Sequence, residues 1–207
     1  MPLHPPTPRT PVASALALLL SVALPTLGAE PSPRTTPWAY AEGATIQSAF
    51  AKGEFTAEAL LTTLTARIGA LNEEGPTLRA VRALNPEAGV AAAASDARRR
   101  AGTSLGPLDG LPVLVKDNIE TADPLPTTAG SRALLDNFAL EDAPVVAALR
   151  AQGAVILGKT NLSQWANFRS NDSVSGWSSV GGQVRNPHVL DRSPCGSSSG
   201  SGAAVAA

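Results

Sequence analysis

The strongest constraint on the fold is a pair of short apolar runs flanking one helix-length segment. Leu111 to Val115 is apolar, follows turn signals at Gly106-Pro107 and Asp109-Gly110, and reads as a buried strand that ends on Lys116. Asp142 stands where a helix cap belongs, Ala143 to Gln152 follows with helical character, and Gly153 stops it. Ala154 to Leu157 is then a second short buried strand. Strand, helix and strand at this spacing predict an α/β fold, with strands buried on both faces under covering helices.

The upstream segments supply a helical layer. Ile46 to Ala51 has a short helical pattern. Thr56 is placed to cap a longer helix, with Glu58 in its first turn and Leu60, Leu61, Leu64, Ile68 and Leu71 on one face. Leu78 to Leu84 alternates as a strand does. Asn85-Pro86-Glu87 opens a further helix that runs through an alanine-rich stretch to Arg98-Arg99-Arg100 and stops at Gly102. The three arginines fit the dipole of a helix end, with an anion site as the alternative. Asn167 to Gly182 is a long polar loop whose one large anchor is Trp177.

Near the end, Ser193 to Gly202 packs five serines and three glycines into ten residues and runs into the alanine-rich 203–207. Glycines ahead of a helix let the backbone approach a reacting group, and hydroxyls there meet the free N–H groups of its first turn. Such a run is either a catalytic or anion-binding loop or a plain Ser/Gly turn.

The chain resembles the amidase signature family. The resemblance rests on Gly106-Pro107-Leu108-Asp109-Gly110-Leu111-Pro112 leading to Lys116, on Gly158-Lys159-Thr160-Asn161, on Trp165-Ala166, on Gly181-Gly182-Gln183 with Asn186-Pro187, and on Gly196-Ser197-Ser198-Ser199. It covers about Ile46 to Ala207. Within the family, Trp165 to Ser170 and Ser193 to Ser197 are most similar to bacterial peptide amidases. The implied fold is a mixed central sheet with helices on both faces, of which 46–207 is the N-terminal part.

An amide bond needs a nucleophile, a proton carrier and an oxyanion binder. A Ser-His-Asp solution needs a histidine, and outside the first residues only His188 is present, after Pro187 in a turn. Cys195 is the single cysteine, so no internal disulfide is available, and with only His4 and His188 neither is a histidine-rich metal site. By itself Lys116, leaving a buried strand, reads as an exposed strand-end charge more readily than as a functional group. The resemblance makes Lys116 the base and Ser197 the bridging serine of a Ser-cisSer-Lys triad, with the cis peptide at Gly196–Ser197. It gives Ala166 a substrate-facing backbone position. Ser198 and Ser199 are expected to hold the loop through their hydroxyls. Lysine can act as a base near neutral pH only if burial disfavours its ammonium form. In the family the attacking serine stands further along, in a Gly-Thr-x-x-x-Gly-Ser-type block that these 207 residues do not contain. The expectation is an N-terminal fragment that is inactive alone.

Residues 1–29 read as an export leader: Arg9 is basic, Val12 to Leu24 is almost wholly apolar, and small residues surround Ala29. The apolar run is too short to span a bilayer as a helix. Residues 30–45 are expected to be a flexible lead-in. With a formal net charge of −1, composition offers no electrostatic case for nucleic acid or an anionic membrane. The combined expectation is an exported, periplasmic or secreted amide hydrolase that takes small-molecule or peptide amides and needs no metal or cofactor. The alternative is a non-catalytic secreted module with a degenerate form of the fold.

Overall fold

The computed structural model describes residues 38–207; the leader expected at 1–29 and residues 30–37 lie outside that range. The helical layer comes first. Helix α1 spans Gly43–Lys52 and α2 spans Ala57–Ile68, with Thr56 Oγ1 accepting from the Ala59 N–H at 3.1 Å as its cap. A π-helical turn, Gly69–Glu73, extends α2. Part of the expected lead-in belongs to the fold: Trp38 packs on Phe55 with ring centroids 4.5 Å apart, and α1 begins at Gly43.

Strand β1 is Val81–Leu84, shorter than the predicted Leu78–Leu84. Thr77 and Arg79 have φ of 49° and 52°, so the backbone there is not extended. The Asn72 side chain holds the bend by accepting from the Val81 N–H and donating to the Val81 carbonyl, each at 2.8 Å. Helix α3, Ala88–Ala101, starts after Asn85, whose Oδ1 accepts from the Glu87 N–H while its amide donates to Asp123 and to the Ile156 carbonyl. Gly102 ends it in the left-handed conformation, φ 69°. Arg98 and Arg99 do more than meet the helix dipole. Arg98 grips the buried Asp109 carboxylate at 2.6 Å, and Arg99 donates to the Asp109 carbonyl at 2.7 Å while lying over the Phe50 ring.

The central sheet has the order β1-β3-β2, with β2 at Pro112–Lys116 and β3 at Val155–Thr160. Strand β3 lies between an antiparallel and a parallel neighbour, so the sheet is mixed. Every residue of β3 is buried. Val155 packs into the core of α1, α2 and α3, while Ile156 packs with Val115 against Val146 of α4, Pro144–Ala151. Helices therefore cover both faces. Strand β2 corrects the expectation of burial on both sides: only Val115 is buried, and Val113 and Leu114 line an open apolar groove of about 460 Å³. Asp142 is not a cap. Pro144 opens α4, and Asp142 accepts from the Ala122 N–H and pairs with Arg150, each at 2.8 Å.

A small hairpin, β4 at Trp177–Ser178 with β5 at Gly182–Gln183, sits inside the long polar loop. Trp177 is not its anchor, being 38% exposed; the buried Ser178 is, through a 2.7 Å bond to Asn161. Helix α5 spans Ser199–Ala206, so it begins within the Ser/Gly run and includes Gly200 and Gly202. No helix among the described residues is long and apolar enough to cross a membrane.

Candidate active site

Lys116 is the last residue of β2, in register with Thr160 of β3, which fixes where its side chain leaves the sheet. Its Nζ lies 2.7 Å from Ser197 Oγ, although 81 residues separate them in sequence. Both side chains are half-buried. Burial pushes the Lys116 amine below its ordinary value of 10.5, and no carboxylate contributes to that shift. As a neutral amine at this distance, Lys116 can accept the Ser197 hydroxyl proton.

Ser197 is held from behind. Its carbonyl accepts from the Ser163 N–H at 3.0 Å, and the Gly196–Ser197 peptide is cis. Ser163 is fully buried, and its hydroxyl accepts from the Gly176 N–H at 2.8 Å. Ser199 Oγ donates to the Cys195 carbonyl at 2.5 Å and closes the turn, as expected of it. Ser198 instead sits exposed at the start of α5 without a side-chain cap bond. On the other side, Thr160 Oγ1 and Ser201 Oγ lie 2.8 Å apart and tie α5 to the strand that flanks Lys116.

The next residue, Asp117, is fully buried and organises the loop after β2. Its carboxylate lies 2.8 Å from Arg82 Nε and accepts from the Thr128 hydroxyl, and its carbonyl accepts from the Ala129 N–H at 2.8 Å. Ala129 O in turn accepts from the Trp165 N–H at 2.9 Å. Trp165, Ala166 and Asn167 are consecutive residues with φ of 53°, 54° and 67°. Three left-handed non-glycine residues in a row are costly, and such strain clusters at functional sites. Ala166 lines a second cavity, of about 570 Å³, beside the residues that follow Lys116.

Lys159 is fully buried on β3. It donates to the Ile119 carbonyl at 2.5 Å and to Thr127 Oγ1 at 2.9 Å, and burial brings its amine down to about 8. Its role as a tie for the loop after β2 was not visible in the sequence, where it is one residue of a motif. Ser163 carried no sequence signal at all. His188 is exposed; among the described hydrogen bonds only its N–H takes part, to Asn186 Oδ1. No cluster of His, Cys, Asp and Glu suited to a metal ion occurs among the described residues.

The sequence and fold match known proteins along most of this segment. The family model described as Amidase matches residues 59–207. The native peptide amidase of Stenotrophomonas maltophilia aligns with a TM-score of 0.80 and 53% identity, covering 83% of this chain and 35% of its own. A protein of Arabidopsis thaliana named a probable amidase is 47% identical over 164 residues, 78% of this chain and 31% of its own length. A glutamyl-tRNA(Gln) amidotransferase chain from Chloroflexus aurantiacus is 46% identical over 162 residues, again 78% and 31%. This chain thus spans about a third of the length of these relatives. With the matched model covering most of the sequence, the chain belongs to the amidase signature family.

Proposed function

We propose that this chain carries the proton relay of an amide hydrolase acting on carboxamides, peptide C-terminal amides among them, with Lys116 as base and Ser197 as bridge. The observation that carries the reading is the 2.7 Å contact between Lys116 Nζ and Ser197 Oγ. Neutral Lys116 takes the Ser197 proton as Ser197 takes one from the attacking serine hydroxyl. The serine oxygen then bonds to the amide carbon, and the relay returns a proton to nitrogen so that ammonia leaves. On the family resemblance, the attacking serine and the oxyanion N–H groups belong to the part of the relatives' length that these residues do not span. The similarity to peptide amidase, at 53% identity, supports the substrate class. Export through the leader at 1–29 belongs to the same reading, and N-terminal sequencing of the mature protein near Glu30 checks it.

The test is ammonia release from peptide amides by a chain of the relatives' full length. Lys116→Ala abolishes it, and Lys116→Arg does not restore it, because arginine stays protonated. Ser197→Ala lowers the rate by about 10²–10⁴-fold, the worth of a positioned proton carrier. His188→Ala retains activity. An active Lys116→Ala enzyme beside a dead His188→Ala enzyme overturns the assignment.

A further inference from the structure

Neither partner of the relay lines the cavity of about 570 Å³, but main-chain hydrogen bonds connect its walls to both. Ile119, on one wall, donates its N–H to the Lys116 carbonyl at 2.9 Å. Ala166, on another, donates its N–H to the Ser163 carbonyl at 2.8 Å, and Ser163 in turn holds Ser197. Val145 of α4 and Leu134 also line it, and Trp165 stands at 43% exposure where the left-handed turn presents it. Beneath the cavity, the Ile119 carbonyl and the Thr127 hydroxyl are already engaged by Lys159. Among the described residues no lysine or arginine lines the cavity, and the one acidic side chain there is Glu120.

We propose that this cavity receives the side chain of the residue whose carboxamide is cleaved, and that it selects apolar or aromatic side chains over those bearing a carboxylate, with Trp165 as the wall that sets the preference. The inference rests on the amide-hydrolase reading. Asn118, Thr127 and Asn137 share the lining with Ile119, Leu134, Val145 and Trp165, and this apolar part rewards burial of an apolar group at roughly 25 cal/mol per Å². A carboxylate entering the same space loses hydration, meets no cation among the described lining residues and faces Glu120. The volume is of the size that small-molecule sites have.

Binding is measured by ligand-observed NMR on a chain of the relatives' full length carrying Lys116→Ala, with two probes: N-acetyl-L-phenylalaninamide and the α-amide of N-acetyl-L-glutamic acid. The phenylalanine amide is expected to bind at least about tenfold more tightly, the scale on which a hydrophobic pocket discriminates. Trp165→Ala removes most of that difference. Val145→Lys, at a helix position that is 55% exposed among the described residues, narrows the difference by giving the carboxylate a partner. Equal binding of the two probes, or a preference untouched by both substitutions, overturns the proposal. Ammonia release by the Lys116→Ala chain counts instead against Lys116 as base and leaves the binding comparison readable.

Discussion

Ser163 and Ser197 are joined by a main-chain hydrogen bond of 3.0 Å, and the Ser163 hydroxyl lies against the residue that precedes Ser197. A Cβ on Gly196 would collide with Ser163 Oγ and come within 2.8 Å of Ser199 Oγ, both already committed to other bonds. Gly196→Ala is therefore expected to destabilise the fold by about 1–3 kcal/mol, as overpacking does. Removing the Ser163 hydroxyl opens that space. In urea unfolding, the double variant with Ser163→Ala should cost less than the sum of the two single variants. Strict additivity would mean that the Ser163 hydroxyl does not confine Gly196.

The two glycines inside α5 are predicted to respond in opposite directions. A methyl on Gly200 would run into the carbonyl oxygens of Ala80 and Asn161, backbone atoms that cannot rotate away. A methyl on Gly202 meets nothing within 4 Å. Gly200→Ala should lower the thermal midpoint and loosen α5 from the sheet. Gly202→Ala should raise stability by up to about 1 kcal/mol through helix propensity. Comparable losses in both variants would contradict the close packing of α5 on Ala80 and Asn161.

Asp109 gives the acid limb of the stability profile. Burial alone pushes its carboxyl up, but the Arg98 guanidinium and the Leu105 N–H more than offset that, bringing it from 3.8 to about 2. A carboxyl depressed by folding stabilises above its unfolded value and loses that contribution as pH falls through its folded value. The contribution is thus full above pH 3.8 and fades towards pH 2. Asp109→Asn leaves Arg98 unpaired beside a buried site, which costs about 3–5 kcal/mol at neutral pH. Denaturant midpoints of the two proteins should converge as pH drops towards 2. A constant gap down to that pH would show that the pair does not carry the acid limb.

Periodicity and punctuation made the elements legible. Thr56 caps α2 and Gly102 ends α3 because capping is local chemistry, set by residues within a few positions. Asp142 looked like a cap for the same local reason, yet Arg150 and the Ala122 N–H compete for its oxygens, and that competition is tertiary. Lys116 and Ser197 entered through family resemblance; no local pattern brings together residues 81 apart. Ser163 leaves no mark in the sequence because its contribution is a backbone N–H and a buried hydroxyl, neither of which has a residue-type signature. Size alone points to Trp177 as the anchor, yet the small Ser178 beside it is the buried one.

Lys159 sets the alkaline limb. Burial holds its amine down at about 8 against an ordinary 10.5, with Asp117 pulling the other way. Below pH 8 the lysine is charged in both the folded and the unfolded chain, and its burial penalty is present in full. Between pH 8 and 10.5 the unfolded chain binds the proton that the folded chain has released. Unfolding then takes up a proton, so the stability of the folded state rises with pH across that window. Lys116, whose amine is also lowered by burial, adds a slope of the same sign. Lys159→Met therefore removes only part of the rise. It also deprives the Ile119 carbonyl and Thr127 of their donor, so the variant starts less stable at about pH 7. Urea titrations of both proteins from about pH 7 to 10.5 separate the two effects. The offset at the neutral end reports the lost bonds, and the difference in slope reports the lost titration. Parallel curves would mean that Lys159 keeps an ordinary amine, and that Ile119 and Thr127 are held by a permanent ammonium.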